Sequence, residues 1–142
     1  MQVMFDTNVF SNLAKHRIDR ANIPPEWQPV ATYLQWQEIQ ATKDPEIRAR
    51  IESVFHEHHP EKVPTIAVWD VTAFDESIWA TPGNVYQSIL DAMDAVRVHS
   101  NNRVDAVIAE ACARGGLGLV TNDRNLLQAA AAHGVQVFNL EG

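Results

Sequence analysis

The chain has 142 residues, 46% of them hydrophobic, and a formal net charge of −7 at pH 7. This size and composition predict a single domain over residues 1–142 with a packed core, and they exclude a disordered chain. No apolar run reaches the roughly 18 residues of a membrane span, and we expect no signal peptide and no membrane segment. The single cysteine, Cys112, excludes an internal disulfide framework, which favours a reducing cytoplasm.

The negative charge argues against nonspecific nucleic-acid binding, because such binding depends on Lys and Arg side chains that neutralise phosphates. The argument weakens if several of the acids form a metal site, since the cation then offsets part of their charge. Acidity alone therefore neither establishes nor excludes an RNA substrate.

Strand patterns and helix patterns alternate along the chain. The predicted strands are Val3–Phe5, Val30–Leu34, Pro64–Val71, Gly118–Thr121 and Val135–Leu140. The predicted helices are Val9–Lys15, one that begins within Glu38–Thr42, one capped by Asp44 with Pro45 at its first position, Val85–His99, Val104–Arg114 capped by Asn101-Asn102, and Leu126–His133. This alternation predicts an α/β fold with three layers (α/β/α) and a parallel, roughly five-stranded sheet.

Four acidic residues accompany these elements. Asp6 directly follows the first strand, Asp123 lies just beyond the fourth, and Glu38 is expected just beyond the second. Asp105 begins the helix that leads into the fourth strand. Because ligands and catalytic groups collect at the C-terminal edge of a parallel sheet, we expect all four carboxylates at this edge.

Each acid also has an ordinary structural explanation. Asp6 and Asp123 can cap the helices that follow them, and Asp105 suits the N-terminal end of a helix dipole. Glu38 can be a solvated helix residue. Taken together, however, four converging carboxylates repel one another unless a cation holds them, and Mg²⁺ or Mn²⁺ prefers oxygen ligands of this kind. The combination predicts a metal-dependent enzyme.

Four segments resemble the PIN-domain family, and most of all its toxin ribonucleases of VapC type. The matching segments are Phe5-Asp6-Thr7-Asn8, Tyr33-Leu34-Gln35-Trp36-Gln37-Glu38, Val104-Asp105-Ala106-Val107-Ile108-Ala109 and Leu119-Val120-Thr121-Asn122-Asp123. They span nearly the whole chain in the order that the family shows.

The resemblance implies an endoribonuclease that depends on Mg²⁺ or Mn²⁺, forms homodimers and is commonly paired with a small antitoxin protein. Its catalytic and metal-binding quartet would be Asp6, Glu38, Asp105 and Asp123. Asn8 and Thr121 would be polar supports that orient carboxylates or water. Some members carry a further acid two residues after the last aspartate, where this chain has Asn125, so one metal ion and two both stay open.

Basic residues near the predicted site are candidate contacts for the substrate's phosphates. They are Lys43, Arg48, Arg50, Arg103 and Arg124, of which Arg103 and Arg124 adjoin acids of the quartet in sequence. The alternative for each is that it balances a neighbouring carboxylate or lies in solvent.

Four other functions are alternatives to a toxin ribonuclease. A housekeeping PIN nuclease of RNA maturation and a non-catalytic PIN-like module that binds RNA or protein both stay open. A phosphorylation receiver would resemble this chain in architecture, but such domains carry paired acids after the first strand and a lysine after the last. A haloacid-type phosphatase is expected to carry an acid at the position of Asn8.

Overall fold

The computed structural model describes residues 1–58, 60–66, 77–78, 85–99 and 101–140. Its strands are β1 (Gln2–Phe5), β2 (Gln28–Ala31), β3 (Glu61–Lys62), β4 (Thr65–Ile66), β5 (Ser77–Ile78), β6 (Gly118–Val120) and β7 (Val137–Phe138). Its helices are α1 (Thr7–Ala14), α2 (Tyr33–Gln40), α3 (Pro45–His58), α4 (Val85–Val96), α5 (Asn102–Gly115) and α6 (Arg124–Ala132), with a 3₁₀ turn at Arg20–Asn22.

The main sheet has five parallel strands in the order β3-β2-β1-β6-β7, which confirms the predicted α/β class and strand number. Strand β1 lies in the centre, between β2 and β6, and Phe5 is in register with Val120. The residues that follow β1 and β6 therefore emerge side by side at the C-terminal edge of the sheet.

Both faces of the sheet are covered. Side chains of a strand point alternately to opposite faces, so Met4 belongs to one core cluster while Val3 and Phe5 belong to the other. The first cluster contains residues of α4, α5 and α6, such as Ile108, and the second contains residues of α1 and α3, such as Phe10. The predicted three-layer α/β/α arrangement is confirmed.

The second strand is shorter than predicted, because β2 ends at Ala31 and Tyr33 and Leu34 are helical. Thr32 and Gln35 form a capping box: the Thr32 N–H donates to Gln35 Oε1 (2.9 Å) and the Leu34 N–H donates to Thr32 Oγ1 (3.1 Å). A threonine followed three residues later by glutamine is a helix-start signal, and here it overrides the apolar pattern. Glu38 consequently lies inside a helix and does not directly follow a strand.

The third strand of the main sheet is also not where the sequence placed it. The prediction was Pro64–Val71, but β3 is Glu61–Lys62, which pairs with β2. Thr65–Ile66 forms a separate parallel pair with Ser77–Ile78, and residues 67–71 of the predicted strand lie outside the described residues. Pro64 has no N–H to donate, so the backbone ladder of the main sheet cannot continue through it.

The connection between α4 and α5 differs from the predicted one as well. Helix α4 ends at Val96, before the predicted end at His99, and the Val96 side chain is 65% exposed. Asn102 is the first residue of α5, and Asn101 occupies the cap position without a side-chain hydrogen bond. The predicted stop is confirmed, since Gly116 ends α5 in a left-handed conformation (φ 64°).

Among the described residues, no helix combines the length and the apolar character that crossing a membrane requires.

Candidate active site

Asp6 links the central strands to the first helix. Its Oδ1 accepts a hydrogen bond from the Thr7 N–H (2.8 Å), so it caps α1. Its Oδ2 accepts one from the Thr121 hydroxyl (2.9 Å), which follows β6. The residue is only 4% exposed. Its carboxylate is therefore held in one orientation from two directions.

Asp123 has the corresponding position after β6. Its Oδ1 accepts hydrogen bonds from the N–H groups of Asn125 (3.0 Å) and Leu126 (3.3 Å), so it caps α6. The Thr121 hydroxyl also accepts the Asp123 N–H (3.1 Å). The capping explanation thus holds for both aspartates, and it does not exclude a role in the cleft because each carboxylate retains acceptor capacity.

Glu38 and Asp105 approach the same place from helices. Glu38 lies in the second half of α2, and Asp105 lies in the first turn of α5. Together with Asp6 and Asp123 they line one polar cleft of about 170 Å³, which Asn8 also lines. The structure thus brings the four predicted acids together at the C-terminal edge of the sheet.

The acids raise one another's pKa. Burial, and after it the charges of Asp6, Asp123 and Glu38, together raise the pKa of Asp105 to about 8. Burial of its carboxyl and then the charge of Asp6 raise the pKa of Glu38 to about 7, although the residue as a whole is exposed.

The pKa of Asp6 rises to about 6, mainly through burial, and its hydrogen bonds with Thr121 and Thr7 limit the rise. The cleft therefore concentrates more negative charge than its own hydrogen bonds stabilise. A bound cation would lower all three pKa values by favouring the ionised carboxylates.

The side chains around the cleft fit a hard divalent cation in their chemistry. All four acids offer oxygen ligands, and the buried Thr7 Oγ1 has no hydrogen-bond partner in the part of the chain that the structure describes. The proximity of Thr7 to Glu38 lowers the pKa of that carboxyl. Within the described residues, no three His, Cys, Asp or Glu side chains form a ready-made metal cage. An open site of this kind suits an ion such as Mg²⁺ that keeps several waters.

No family model matches the chain, and no curated protein matches it. The fold occurs in solved structures, one of them VapBC2 from Rickettsia felis bound to a DNA fragment from their promoter (14% identity, TM-score 0.58, 98% of both chains covered). Another is VapBC-1 from nontypeable Haemophilus influenzae (16% identity, TM-score 0.56, 100% of both chains). A third is VapBC-5 from Mycobacterium tuberculosis, a member of the VapBC family of toxin–antitoxin systems (18% identity, TM-score 0.50, 98% of this chain and 97% of that one).

Identities this low show a shared fold and nothing finer. The PIN-like α/β architecture that the sequence predicted is the one that these VapBC chains have.

The basic residues chosen from the sequence lie outside the cleft lining. Lys43, Arg103 and Arg124 are exposed, and none of them is among the described residues that line the cleft. Arg48 Nε is 3.8 Å from Glu52 Oε1, and Arg50 Nη2 is 2.9 Å from Glu46 Oε1, so both belong to ion pairs of α3. Their contact with a substrate stays a prediction.

The cleft also contains residues that the sequence did not predict as site residues. They are Arg97, His99, Asn101, Asn102 and Asn125. The signal that identifies the first four is position, since three of them immediately precede the helix that carries Asp105 and Asn102 begins it. Asn125, where some relatives of the resembled family have an acid, faces the same cleft without adding charge.

Proposed function

We propose that this protein is a Mg²⁺- or Mn²⁺-dependent endoribonuclease and acts as the toxin of a toxin–antitoxin pair. The observation that carries the proposal is the group of four carboxylates around one polar cleft, with the pKa values of three of them raised by burial and mutual repulsion. A protein that only needed a stable scaffold would gain nothing from this repulsion.

Each acid would have a distinct part. Asp6, Asp105 and Glu38 would hold the ion directly or through its waters, and Asp123 would complete the site. When bound, the ion would acidify water and stabilise the charge that develops on an RNA phosphodiester during hydrolysis. The hydrogen bonds from Thr121 and from the Thr7 N–H keep Asp6 aimed at the cleft before any ligand arrives.

The toxin assignment rests on the fold comparison. Three of the structures that share the fold are VapBC proteins, and one of these is described as a member of the VapBC family of toxin–antitoxin systems. We extend this to a small antitoxin as the partner of the present chain, to an RNA substrate and to a cytoplasmic setting.

The decisive experiment is cleavage of total cellular RNA by the purified protein with Mg²⁺, with Mn²⁺ and with EDTA. We expect discrete fragments that require metal and that disappear in the Asp6→Asn variant. The matched control is Asp44→Asn, because Asp44 also caps a helix through backbone N–H groups (2.9 and 3.3 Å) but does not line the cleft. Full activity of Asp6→Asn would refute the assignment.

Two results would point to the alternatives. A folded wild-type protein that binds RNA or a partner but never cleaves would indicate the non-catalytic module. Cleavage without growth arrest on expression in cells would favour a housekeeping nuclease, whereas arrest that requires Asp6 would support the toxin.

A further inference from the structure

The lining of the cleft includes two basic residues besides the four acids. Arg97 and His99 line it from the connection between α4 and α5, and both are exposed to solvent. Of the described residues that line the cleft, Arg97 carries the one permanent positive charge. An anionic substrate that enters the cleft is therefore attracted by Arg97 as well as repelled by the acids.

Hydrogen bonds fix this connection in place. The buried Asn102 side chain donates from Nδ2 to the Arg97 carbonyl (2.7 Å) and to Asp94 Oδ1 (2.8 Å). The Asn102 N–H donates to the His99 carbonyl (3.0 Å), and the Arg97 N–H donates to the Met93 carbonyl (3.0 Å). Arg97 and His99 are thus anchored to the start of α5, the helix that carries Asp105.

One hydrogen bond defines the tautomer of the His99 ring. The Asn101 N–H donates to His99 Nδ1 (3.1 Å), so this nitrogen is the acceptor and the proton of the neutral ring lies on Nε2. The N–H at Nε2 makes no hydrogen bond within the described part of the chain, which leaves a donor available to a ligand.

The guanidinium of Arg97 is likewise uncommitted. Within the described residues it has no side-chain hydrogen bond and no ion pair, although four carboxylates line the same cleft. Arg20, Arg50 and Arg114, in contrast, each pair with a glutamate at 2.8 to 3.0 Å. Planar guanidinium groups match the oxygens of phosphates and bind them through paired hydrogen bonds.

We propose that Arg97 and His99 form a phosphate subsite that binds the backbone of single-stranded RNA beside the acidic cluster. Arg97 contributes charge and paired N–H donors, and His99 contributes the Nε2–H. The subsite offsets the repulsion that the acids exert on an approaching phosphodiester. This inference rests on the proposed function, because it takes RNA as the ligand.

The test measures binding separately from cleavage. Fluorescence anisotropy of a labelled, short single-stranded RNA is followed in Ca²⁺ over a range of salt concentrations for wild type and Arg97→Gln. We expect binding to weaken about three- to tenfold and the slope of log affinity against log salt to fall by about 0.7, the loss of one single-strand phosphate contact.

Arg17→Gln is the matched control. Arg17 is exposed and follows the C-terminal end of α1, whereas Asp6 caps the N-terminal end, so the two lie at opposite ends of that helix. Its replacement is expected to leave the salt slope unchanged. For His99, the pair His99→Ala and His99→Gln distinguishes a donor from a structural role, because glutamine can restore an N–H and is expected to recover part of the binding.

The outcomes separate this inference from the nuclease proposal. If wild type cleaves RNA while Arg97→Gln binds with wild-type affinity and salt slope, the subsite is refuted and the nuclease stands. If wild type binds RNA in an Arg97-dependent way but never cleaves, the subsite stands and the nuclease is refuted. If wild type binds no RNA, both are refuted.

Discussion

Asp105 and Glu110 lie on the same helix, α5, yet Glu110 has a basic partner while Asp105 lies among other acids. Glu110 is buried, and its carboxylate is paired with Arg114, whose Nε lies 3.0 Å from Glu110 Oε1. Arg114 also donates to the carbonyl of Pro64 (2.8 Å), which ties α5 to the neighbouring backbone. Asp105 faces three other carboxylates and has a pKa of about 8, for which burial is the main cause.

The contrast shows that a basic side chain compensates the buried charge of Glu110, whereas no such side chain compensates the charge of Asp105 within the described residues. An ion pair within one helix serves stability, and its energy is largely independent of any ligand. A group of acids without such a partner costs stability in the free protein and becomes favourable when a cation arrives. The comparison therefore assigns Glu110 to the scaffold and Asp105 to the site.

The largest expected effect is on catalysis by Asp105→Asn. This change keeps the size of the side chain but removes a charge from the metal-binding group, so we expect cleavage to fall by roughly a hundredfold or more. The measurement is the rate of metal-dependent RNA cleavage. Glu110→Gln, on the same helix, is the control and should keep nearly full activity below its melting temperature. Equal losses in both variants would contradict the contrast between the two acids.

The next effect is on stability. Glu110→Gln leaves the Arg114 guanidinium without its ionic partner in a partly buried place, so we expect the free energy of unfolding to fall by about 1–3 kcal/mol. Urea denaturation measures it. The control is Glu46→Gln, because the Glu46–Arg50 pair is exposed (side chains 77% and 63%) and such pairs contribute little. A change at Glu46 as large as at Glu110 would speak against the scaffold role of Glu110.

A third effect is a dependence of stability on pH in EDTA. The native pKa values of Asp6, Glu38 and Asp105 are about 6, 7 and 8, all raised above their usual values of 3.8 to 4.5, with burial as the main cause. Between about pH 4 and pH 8 the native state thus holds more protons than the unfolded state, and the free energy of unfolding should decrease as pH rises. Melting temperatures across this range measure it.

Asp105→Asn should make this pH profile flatter and should raise the melting temperature at pH 8, since it removes the carboxyl with the highest pKa. A wild-type melting temperature that instead rises between pH 4 and pH 8 would show that the pKa values of these carboxyls are not raised in the free protein. Added Mg²⁺ should reduce the loss of stability at high pH, because it binds the native protein with ionised carboxylates.

Local patterns were sufficient for the elements that the sequence placed correctly. Two segments contain both the apolar strand pattern and the polar residues that end the strand. They are Val3–Phe5 followed by Asp6, and Leu119-Val120 followed by Thr121–Asp123. The stop of α5 at Gly115-Gly116 is local too, because only the backbone freedom of glycine is required. These are the parts of the fold and of the cleft that depend on neighbours in sequence.

The remaining features depend on hydrogen bonds that the pattern of apolar residues does not report. The apolar residues Tyr33 and Leu34 fit a strand pattern equally well, and the capping box of Thr32 decides for a helix. Strand β3 exists because it pairs with β2, and two residues give no periodicity to detect. Arg97 and His99 reach the cleft because Asn102 holds their connection, a hydrogen bond that no local pattern reports.

The hydrogen bond between Thr121 and Asp6 joins residues that are 115 positions apart. Strand β1 is made first, but its partner β6 and the last acid, Asp123, come late in the chain. During synthesis the four carboxylates therefore stay apart until most of the polypeptide has emerged and β6 has paired with β1. A growing chain on the ribosome would therefore carry three of the four acids, Asp6, Glu38 and Asp105, before the cleft can form.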